Sequence, residues 1–288
     1  MSTIRIDSTS LEYTEYGDGE SLILVHGSAS DYRTWTNQFN DFSEHFHTIM
    51  YSRRYHWPNK KIPADADYPM PQQANDLAKL IQTLDANPVH LVGHSYGAFL
   101  CLLVAIKHPE LVRSMVLAEP PVLTLFVSNT PKPIELLKLL FSRPRTASAI
   151  INLGIKGLNP AKKAARNGEM EKAMRVFGRT VLGPKFYKNL SESRREQIRA
   201  NAIKAELLGS GFAPLNPNDL RQIACPTLLV NGVQSPKVFH RFVDRLCELL
   251  PHTRRVQIPR ASHNMHEDNP RAFNQEVLSF LKIEQQAE

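Results

Sequence analysis

Pro88-Val89-His90-Leu91-Val92-Gly93-His94-Ser95-Tyr96-Gly97 is a segment in which a strand-like run meets a helix-like run. Residues 88–92 are apolar and β-branched enough for a central strand, and residues 98–106 are apolar almost all round, which is typical of a buried helix. Ser95 therefore stands between two glycines at a sharp turn that holds its hydroxyl clear of the backbone. The amino end of the predicted helix also offers free N–H groups to a developing negative charge. These features predict that Ser95 is a nucleophile.

Short apolar runs alternate with helical patterns along most of the chain, which predicts an α/β fold with a doubly wound, mostly parallel sheet. Between residues 121 and 220 this rhythm is replaced by basic amphipathic helices that are broken by prolines. We therefore predict a core domain of residues 1–120 and 221–288 and an inserted helical cap of residues 121–220. The further predicted strands are residues 22–25, 46–51, 114–118, 227–230 and 255–258, and the further predicted helices are residues 32–44, 72–84, 236–250 and 270–283.

The composition is that of a globular protein, with 42% hydrophobic and 22% charged residues among 288. No apolar stretch is long enough to span a bilayer, and the amino terminus lacks the apolar region of a signal peptide. The three cysteines are scattered and form no C-x-x-C pair, which favours reduced thiols over a disulfide framework or a metal site. The sequence thus predicts a cytoplasmic protein that has no membrane partner.

The net charge of +7 is unevenly distributed, because residues 121–220 contain 17 Lys and Arg against 7 Asp and Glu. A basic segment on a slightly acidic body favours anionic substrates, although solvated helix faces would give the same pattern. No recognised nucleic-acid motif accompanies these charges, so a nucleic-acid partner is not expected.

A serine hydroxyl needs a base that accepts its proton and a third group that orients the base. Position must select that base from 11 histidines. His263 follows the last predicted strand, and this loop lies at the carboxyl ends of the strands, the edge at which Ser95 also lies. We expect His263 to be the base, and we expect His266, the alternative, to be structural.

Several motifs together resemble the α/β-hydrolase superfamily: His26-Gly27-Ser28, the turn around Ser95, the segment 109–114 and Ala261-Ser262-His263. The resemblance covers residues 22–280 except the cap. It implies the capped branch that contains esterases, lactonases, haloperoxidase-like enzymes and C–C bond hydrolases. A serine at the nucleophile position argues against dehalogenases and epoxide hydrolases, which use aspartate there.

The resemblance leaves two places for the acid of the triad. Many relatives carry it in a G-x-x-D turn, but here that turn reads Gly232-Val233-Gln234-Ser235, and Ser235 cannot supply a fixed negative charge. The second place is the end of the strand after the buried helix, where Glu119 follows an apolar run. A carboxylate there is costly to bury unless it is paired, so we expect Glu119 to be the acid. A salt-bridged or helix-capping glutamate is the alternative.

The resemblance also implies an oxyanion hole made of two backbone amides. The amide of Tyr96 directly follows the nucleophile, and the amide of Ser28 belongs to the His26-Gly27-Ser28 turn. We expect the side chains of His26 and His94 to be structural.

One loop departs from the family pattern. Relatives often carry a glycine-rich D-x-R-G-x-G-x-S loop after the strand that corresponds to residues 46–51. At this place the chain has Tyr51-Ser52-Arg53-Arg54-Tyr55-His56-Trp57-Pro58. We expect Arg53, Arg54, Tyr55 and Trp57 to line the pocket, which would favour a planar or carboxylated substrate. A self-packed surface loop is the alternative.

The resulting prediction is a serine hydrolase that cleaves a carboxylic ester or lactone of a small molecule through an acyl-enzyme intermediate. No metal and no organic cofactor are expected. The alternatives are a C–C bond hydrolase, a haloperoxidase-like enzyme or a homologue that only binds its ligand. The sequence leaves the oligomeric state open.

Overall fold

A computed structural model describes residues 1–63 and 66–286 of the chain. Its centre is an eight-stranded sheet in the order β1-β2-β4-β3-β5-β6-β7-β8. The strands β3 to β8 are parallel to one another. At one edge, β2 pairs antiparallel with both of its neighbours, β1 and β4. The strands are β1 (Ser2–Ile6), β2 (Thr9–Tyr16), β3 (Ser21–Val25), β4 (His47–Tyr51), β5 (Val89–His94), β6 (Val112–Ala118), β7 (Thr227–Gly232) and β8 (Thr253–Ile258).

Helices cover both faces of this sheet, which confirms the predicted fold class. The helices of the described residues are α1 (Thr36–Ser43), α2 (Met70–Thr83), α3 (Tyr96–Lys107), α4 (Pro133–Ser142), α5 (Pro144–Leu153), α6 (Asn159–Arg166), α7 (Met170–Leu182), α8 (Pro184–Lys188), α9 (Glu192–Ala200), α10 (Ile203–Leu208), α11 (Pro217–Arg221), α12 (Lys237–Leu249), α13 (Met265–Asp268) and α14 (Pro270–Gln286).

The core consists of two apolar layers because successive side chains of a strand point to opposite faces. Ile23 and Val25 of β3 pack in the layer that contains α2, α3 and α12. Leu22 and Leu24 pack in the layer that contains α1 and α14. Strands buried on both faces read as continuous apolar runs, which is why the inner strands are recognisable in the sequence.

No element is predicted from the sequence for residues 1–21, and there the structure has the β1–β2 hairpin. Its strands are partly exposed, and they alternate polar and apolar residues over a short length. Such an edge hairpin carries a weaker hydrophobic signal than a buried parallel strand.

Between β6 and β7 the chain forms helices α4 to α11, and we call residues 119–226 the helical segment. A π-helical turn at Gly154–Leu158 joins α5 to α6. Helices α6, α7 and α10 share a small apolar cluster that also includes Ala29 of the loop after β3. The helical segment therefore packs against the loop in which the sequence predicts an oxyanion donor. No helix within residues 1–63 or 66–286 is long and apolar enough to cross a bilayer.

Candidate active site

Ser95 lies between β5 and α3 in a backbone conformation that is rare for a residue with a side chain, with φ 50° and ψ −116°. The flanking glycines are required by close approach. A Cβ on Gly93 would lie 2.6 Å from the Cα of Ala98, and a Cβ on Gly97 would lie 2.1 Å from the carbonyl oxygen of Val25. The Ser95 amide donates to the carbonyl of Ala118 at 2.8 Å, which fixes the turn to the end of β6.

The structure brings Ser95, His263 and Glu119 together, although 168 residues separate the first two. His263 Nε2 lies 2.9 Å from Ser95 Oγ, and His263 Nδ1 lies 2.7 Å from Glu119 Oε2. A carboxylate accepts hydrogen bonds, so the Nδ1 atom carries the proton and Nε2 is free to accept from the serine hydroxyl. The three side chains thus form one continuous chain of hydrogen bonds.

Glu119 is fully buried, and both of its oxygens have partners. While Oε2 faces the imidazole, Oε1 accepts from the amide of Gly232 at 3.0 Å and from Asn231 Nδ2 at 3.2 Å. Donors on both oxygens offset the cost of burying the charge. Ser235, at the other place considered for the acid, is buried, and its hydroxyl has no hydrogen-bond partner among the described residues.

Two ring side chains hold His263 in place, one through its imidazole and one through its backbone. The ring of Phe239 stacks on it with centroids 3.9 Å apart, and His94 donates from Nε2 to the backbone carbonyl of His263 at 2.8 Å. Burial, followed by the neighbouring His266 and His263, holds the pKa of His94 well below its ordinary value, so His94 is neutral at pH 7. His94 therefore supports the site, as the sequence predicts.

His266 lies one ring away from the triad. Its Nε2 is 2.9 Å from the hydroxyl of Thr34, and its ring packs on Trp35 at 4.6 Å between centroids. Burial lowers its pKa to about 4. These contacts are those of a structural histidine.

The two predicted oxyanion donors belong to segments that adjoin Ser95. Tyr96 is the first residue of α3, so its amide has no partner within the helix. Ser28 belongs to the loop after β3 and lines the same cavities as Ser95.

The loop after β4 differs from its prediction, because Arg53, Arg54, Tyr55 and Trp57 line neither of the two cavities at Ser95. Arg54 is buried and holds Asp76 through two hydrogen bonds of 2.6 Å. The exposed Trp57 stacks on Tyr32 at 5.9 Å, and Tyr55 packs against Tyr68 at 6.4 Å. Aromatic and guanidinium groups in this loop pack on one another and on the core, as in the alternative of a self-packed loop.

Arg53 is also fully buried, but it touches the loop that carries Ser28. Its side chain donates to the carbonyl of His26 at 3.2 Å and to the carbonyl of Gly27 at 2.9 Å. Its backbone amide donates to His26 Nε2 at 2.9 Å. Arg53 therefore fixes the turn 26–28 from behind instead of facing a substrate.

Glu206, on α10 of the helical segment, completes this arrangement. One oxygen pairs with Arg53 at 2.7 Å, and the other accepts the amide of Ala29 at 2.9 Å. Although burial opposes ionisation, the hydrogen bond from His56 and the charge of Arg53 hold the pKa of Glu206 at about 2. We call Arg53 and Glu206 the loop clamp, because together they hold residues on both sides of Ser28.

Two cavities open at Ser95 and Ser28 below the helical segment. The first, the arginine cavity of about 720 Å³, is lined by Ser28, Ala29, His94, Ser95, Glu171, Met174, Phe177, Gly178, Val181, Leu182, Tyr187, Arg194, Arg195, Ile198, Arg199, Ile203, His263 and Asn264. The second, the apolar cavity of about 960 Å³, is lined by Ser28, Tyr68, Ser95, Tyr96, Pro121, Leu123, Asn129, Leu153, Leu158, Lys162, Phe177, Val181, Ile203, Glu206, Leu207, Gly211, Phe212, Phe239 and Phe242.

The cations of the arginine cavity are held to different degrees. Arg194 pairs with Glu267 at 3.0 Å, and Arg199 pairs with two glutamates. Arg195 donates to the backbone carbonyls of Tyr187 and Lys188 and has no carboxylate within ion-pair distance in the described part of the chain. Arg195 is thus the arginine of this cavity that forms no ion pair within residues 1–63 and 66–286.

The described residues contain no group of three or more His, Cys, Asp and Glu that could hold a metal ion. The sequence did not predict the supporting residues of the site, among them Asn231, Phe239 and Glu206. Each of them acts through a contact between distant segments, so no local pattern identified it.

The model of the α/β hydrolase fold matches residues 20–270 of the chain. The chain belongs to this family. It is similar to (E)-2-((N-methylformamido)methylene)succinate hydrolase of Acinetobacter baylyi, with 23% identity over 94% of this chain and 93% of that protein. It is similar to 2-(acetamidomethylene)succinate hydrolase of Mesorhizobium japonicum, with 25% identity over 96% of this chain and 94% of that protein.

Among solved structures, a thermophilic esterase from Thermogutta terrifontis with bound malate has the same fold. The TM-score is 0.72 at 20% identity, over 96% of this chain and 94% of that one. The family assignment and the similar curated proteins together make the chain a hydrolase of the α/β family.

Proposed function

We propose that the protein is a serine hydrolase that cleaves an acyl bond of a small molecule, a carboxylic ester or lactone in the first place, through a Ser95–His263–Glu119 triad. The observation that carries the proposal is the unbroken chain of hydrogen bonds from Glu119 Oε2 through His263 to Ser95 Oγ. Because two cavities open at that hydroxyl, a substrate carbonyl can reach it.

The first half of the reaction follows from the positions of these atoms. Ser95 Oγ attacks the carbonyl carbon while His263 Nε2 accepts the hydroxyl proton. Glu119 stabilises the imidazolium that forms, and the amides of Tyr96 and Ser28 receive the negative charge on the carbonyl oxygen. His263 Nε2 then returns its proton to the leaving group, and an acyl-Ser95 ester remains. In the second half, His263 Nε2 accepts a proton from water as that water attacks the acyl carbon. The bond between the acyl carbon and Ser95 Oγ then breaks, His263 returns the proton to Ser95 Oγ, and the acid leaves.

A second candidate is hydrolysis of an amide-type bond in a carboxylated substrate. The similar curated proteins are named as hydrolases of amide-bearing methylenesuccinates, which carry two carboxylates. The observation in this chain that favours an anionic substrate is Arg195, which lines the arginine cavity without a carboxylate partner among the described residues. The same triad would perform this reaction, with protonation of a nitrogen leaving group by His263.

Trapping the acyl-enzyme tests the proposal. Rapid mixing of the protein with p-nitrophenyl acetate, followed by acid quenching and intact-mass spectrometry, is expected to show one added acetyl group, because an ester on Ser95 is the intermediate of the mechanism. Peptide mapping is expected to place this group on Ser95, and the variant Ser95→Ala is the control. An acetyl group on another residue, or equal p-nitrophenol release by the wild type and Ser95→Ala, would show that Ser95 is not the nucleophile.

The loop clamp yields a separate prediction about the oxyanion hole. We expect Glu206→Gln to lower kcat about 10- to 100-fold, because the Ala29 amide and Arg53 lose a charged partner and the Ser28 amide is no longer fixed. The matched control is Asp76→Asn, since the Arg54–Asp76 pair is equally buried but touches no part of the loop. Ester kinetics and thermal unfolding of both variants provide the measurement. Equal losses of kcat in the two variants would show that the loop clamp only stabilises the fold and does not position the Ser28 amide.

A further inference from the structure

The apolar cavity contains two polar groups that have no partner among the described residues. The hydroxyl of Tyr96 is buried and makes no hydrogen bond there, although Tyr96 is only 5% exposed. The ammonium group of Lys162, on α6, is half-buried and forms neither an ion pair nor a hydrogen bond within residues 1–63 and 66–286. Buried polar groups are normally paired, so the Tyr96 hydroxyl points to a missing acceptor. Lys162 adds a cation to the wall of the same cavity.

The groups around Lys162 favour binding of an anion beside it. Burial and the neighbouring Arg166 lower the pKa of Lys162, which means that the folded protein disfavours its charge. The carboxylate that lines the same cavity is Glu206, and it is occupied by Arg53 and His56. An anion brought in by a ligand would therefore be the group that offsets the charge of Lys162.

The rest of the cavity wall restricts the ligand that could carry this anion. Leu153, Leu158, Phe212 and Phe242 surround the space, so an aliphatic chain gains free energy by leaving water. A carboxylate in such surroundings is costly unless a charged donor meets it. Ser95 and Lys162 both line this cavity, so an acyl chain attached at Ser95 and a carboxylate at Lys162 would occupy the same space.

We propose that the apolar cavity binds the acyl part of the substrate and that Lys162 and the Tyr96 hydroxyl bind a carboxylate carried by that acyl part. The preferred substrates are then half-esters of dicarboxylic acids, which leave a free dicarboxylate after hydrolysis. Lys162 supplies the charge and Tyr96 donates a hydrogen bond, while the Tyr96 amide keeps its separate role toward the oxyanion. This inference rests on the proposed function, because it assumes that Ser95 attacks the ester carbonyl.

Paired substrates of equal chain length test the charge directly. Mono-p-nitrophenyl adipate is compared with p-nitrophenyl hexanoate, and mono-p-nitrophenyl suberate with p-nitrophenyl octanoate. The measured quantity is the ratio of kcat/KM for the acidic ester to that for the neutral one. We expect the wild type to prefer the acidic ester and Lys162→Met to lower the ratio about 10- to 100-fold, the usual range for loss of a charge-assisted hydrogen bond in a desolvated site.

Three further variants separate recognition of the carboxylate from a general effect on activity. Lys163→Met changes the next residue of α6, which is exposed and lines neither cavity, so its ratio is expected to equal that of the wild type. Lys162→Arg keeps a cation and should retain most of the preference, whereas Tyr96→Phe should lower the ratio less than Lys162→Met does. A wild-type preference for the neutral esters, or an unchanged ratio in Lys162→Met, would overturn the assignment.

Binding of the free acid gives a readout that does not depend on turnover. Calorimetric titration with adipate is expected to yield a Kd at least about ten times weaker for Lys162→Met than for the wild type and Lys163→Met, with hexanoate as the control ligand. If the wild type hydrolyses no ester but binds adipate through Lys162, the proposed function fails and the carboxylate site stands. If Ser95-dependent hydrolysis occurs and adipate binds equally to all variants, the carboxylate site fails and the proposed function stands.

Discussion

Replacement of His263 by alanine is expected to lower kcat for an activated ester about 10⁶-fold, since loss of the base from a triad costs nearly as much as loss of the whole triad. The Ser95 hydroxyl then has no acceptor for its proton, because His263 Nε2, 2.9 Å away, is the proposed base. Steady-state release of p-nitrophenol measures the effect. Added imidazole is expected to restore part of the activity, as it would occupy the space left by the side chain.

The control for this variant is His252→Ala, because His252 is an exposed histidine just before β8, at the opposite end of that strand from the loop of His263. Its activity is expected to equal that of the wild type. Thermal unfolding of both variants checks that the fold is retained. A His263→Ala protein that keeps more than about a tenth of the wild-type activity would mean that another group takes the proton from Ser95.

The positions of Ser95 and Glu119 were predictable because each directly follows a strongly apolar strand. His263 was predictable because it lies in the loop after the last strand of the sheet. Parallel strands place their carboxyl ends at one edge, so the loops after β5, β6 and β8 meet there whatever their separation in sequence. The charge of Glu119 after a run of apolar residues was a further signal, since an unpaired carboxylate is not stable in such a place. Pattern and topology were sufficient for these three residues.

The loop clamp was not predictable in the same way. Arg53 and Glu206 are 153 residues apart, and nothing in either local sequence indicates a buried partner. The sequence of the loop after β4 shows cations and rings, but it does not show whether these face the pocket or the core. Arg53 faces the core because the carbonyls of the turn 26–28 need donors, and that need arises only in the folded chain.

The residues that line the two cavities were also not predictable from the sequence. Helices of the helical segment are amphipathic, and an apolar side chain on them can face the cluster around Ala161 or the cavity above Ser95. Both environments favour the same residue types, so the hydrophobic pattern does not distinguish them. The packing of α6 and α7 over the sheet edge decides which residues meet a substrate, and Lys162 acquires its position only through that packing.

Glu119→Gln is expected to lower kcat about 10⁴-fold while Ser235→Ala leaves it within about twofold, and this pair of variants decides between the two places for the acid. The carbonyl of the substituted amide side chain would keep the bonds that Glu119 Oε1 accepts from Gly232 and Asn231, so its NH₂ group would face His263 Nδ1. A donor at that point makes Nδ1 the acceptor and moves the proton to Nε2. The imidazole would then present N–H to Ser95 and could not take its proton.

Ser235→Ala is expected to be harmless, because the Ser235 hydroxyl is buried without a partner among the described residues. Removal of an unpaired buried hydroxyl is neutral or stabilising, so we expect thermal unfolding of this variant at the same temperature as the wild type or higher. Ester kinetics and thermal unfolding of both variants, measured side by side, separate a lost acid from a damaged fold. If Glu119→Gln is harmless and Ser235→Ala is damaging, the assignment of the acid is wrong. The contact of 2.7 Å between Glu119 and the imidazole would then not be what keeps the proton on His263 Nδ1.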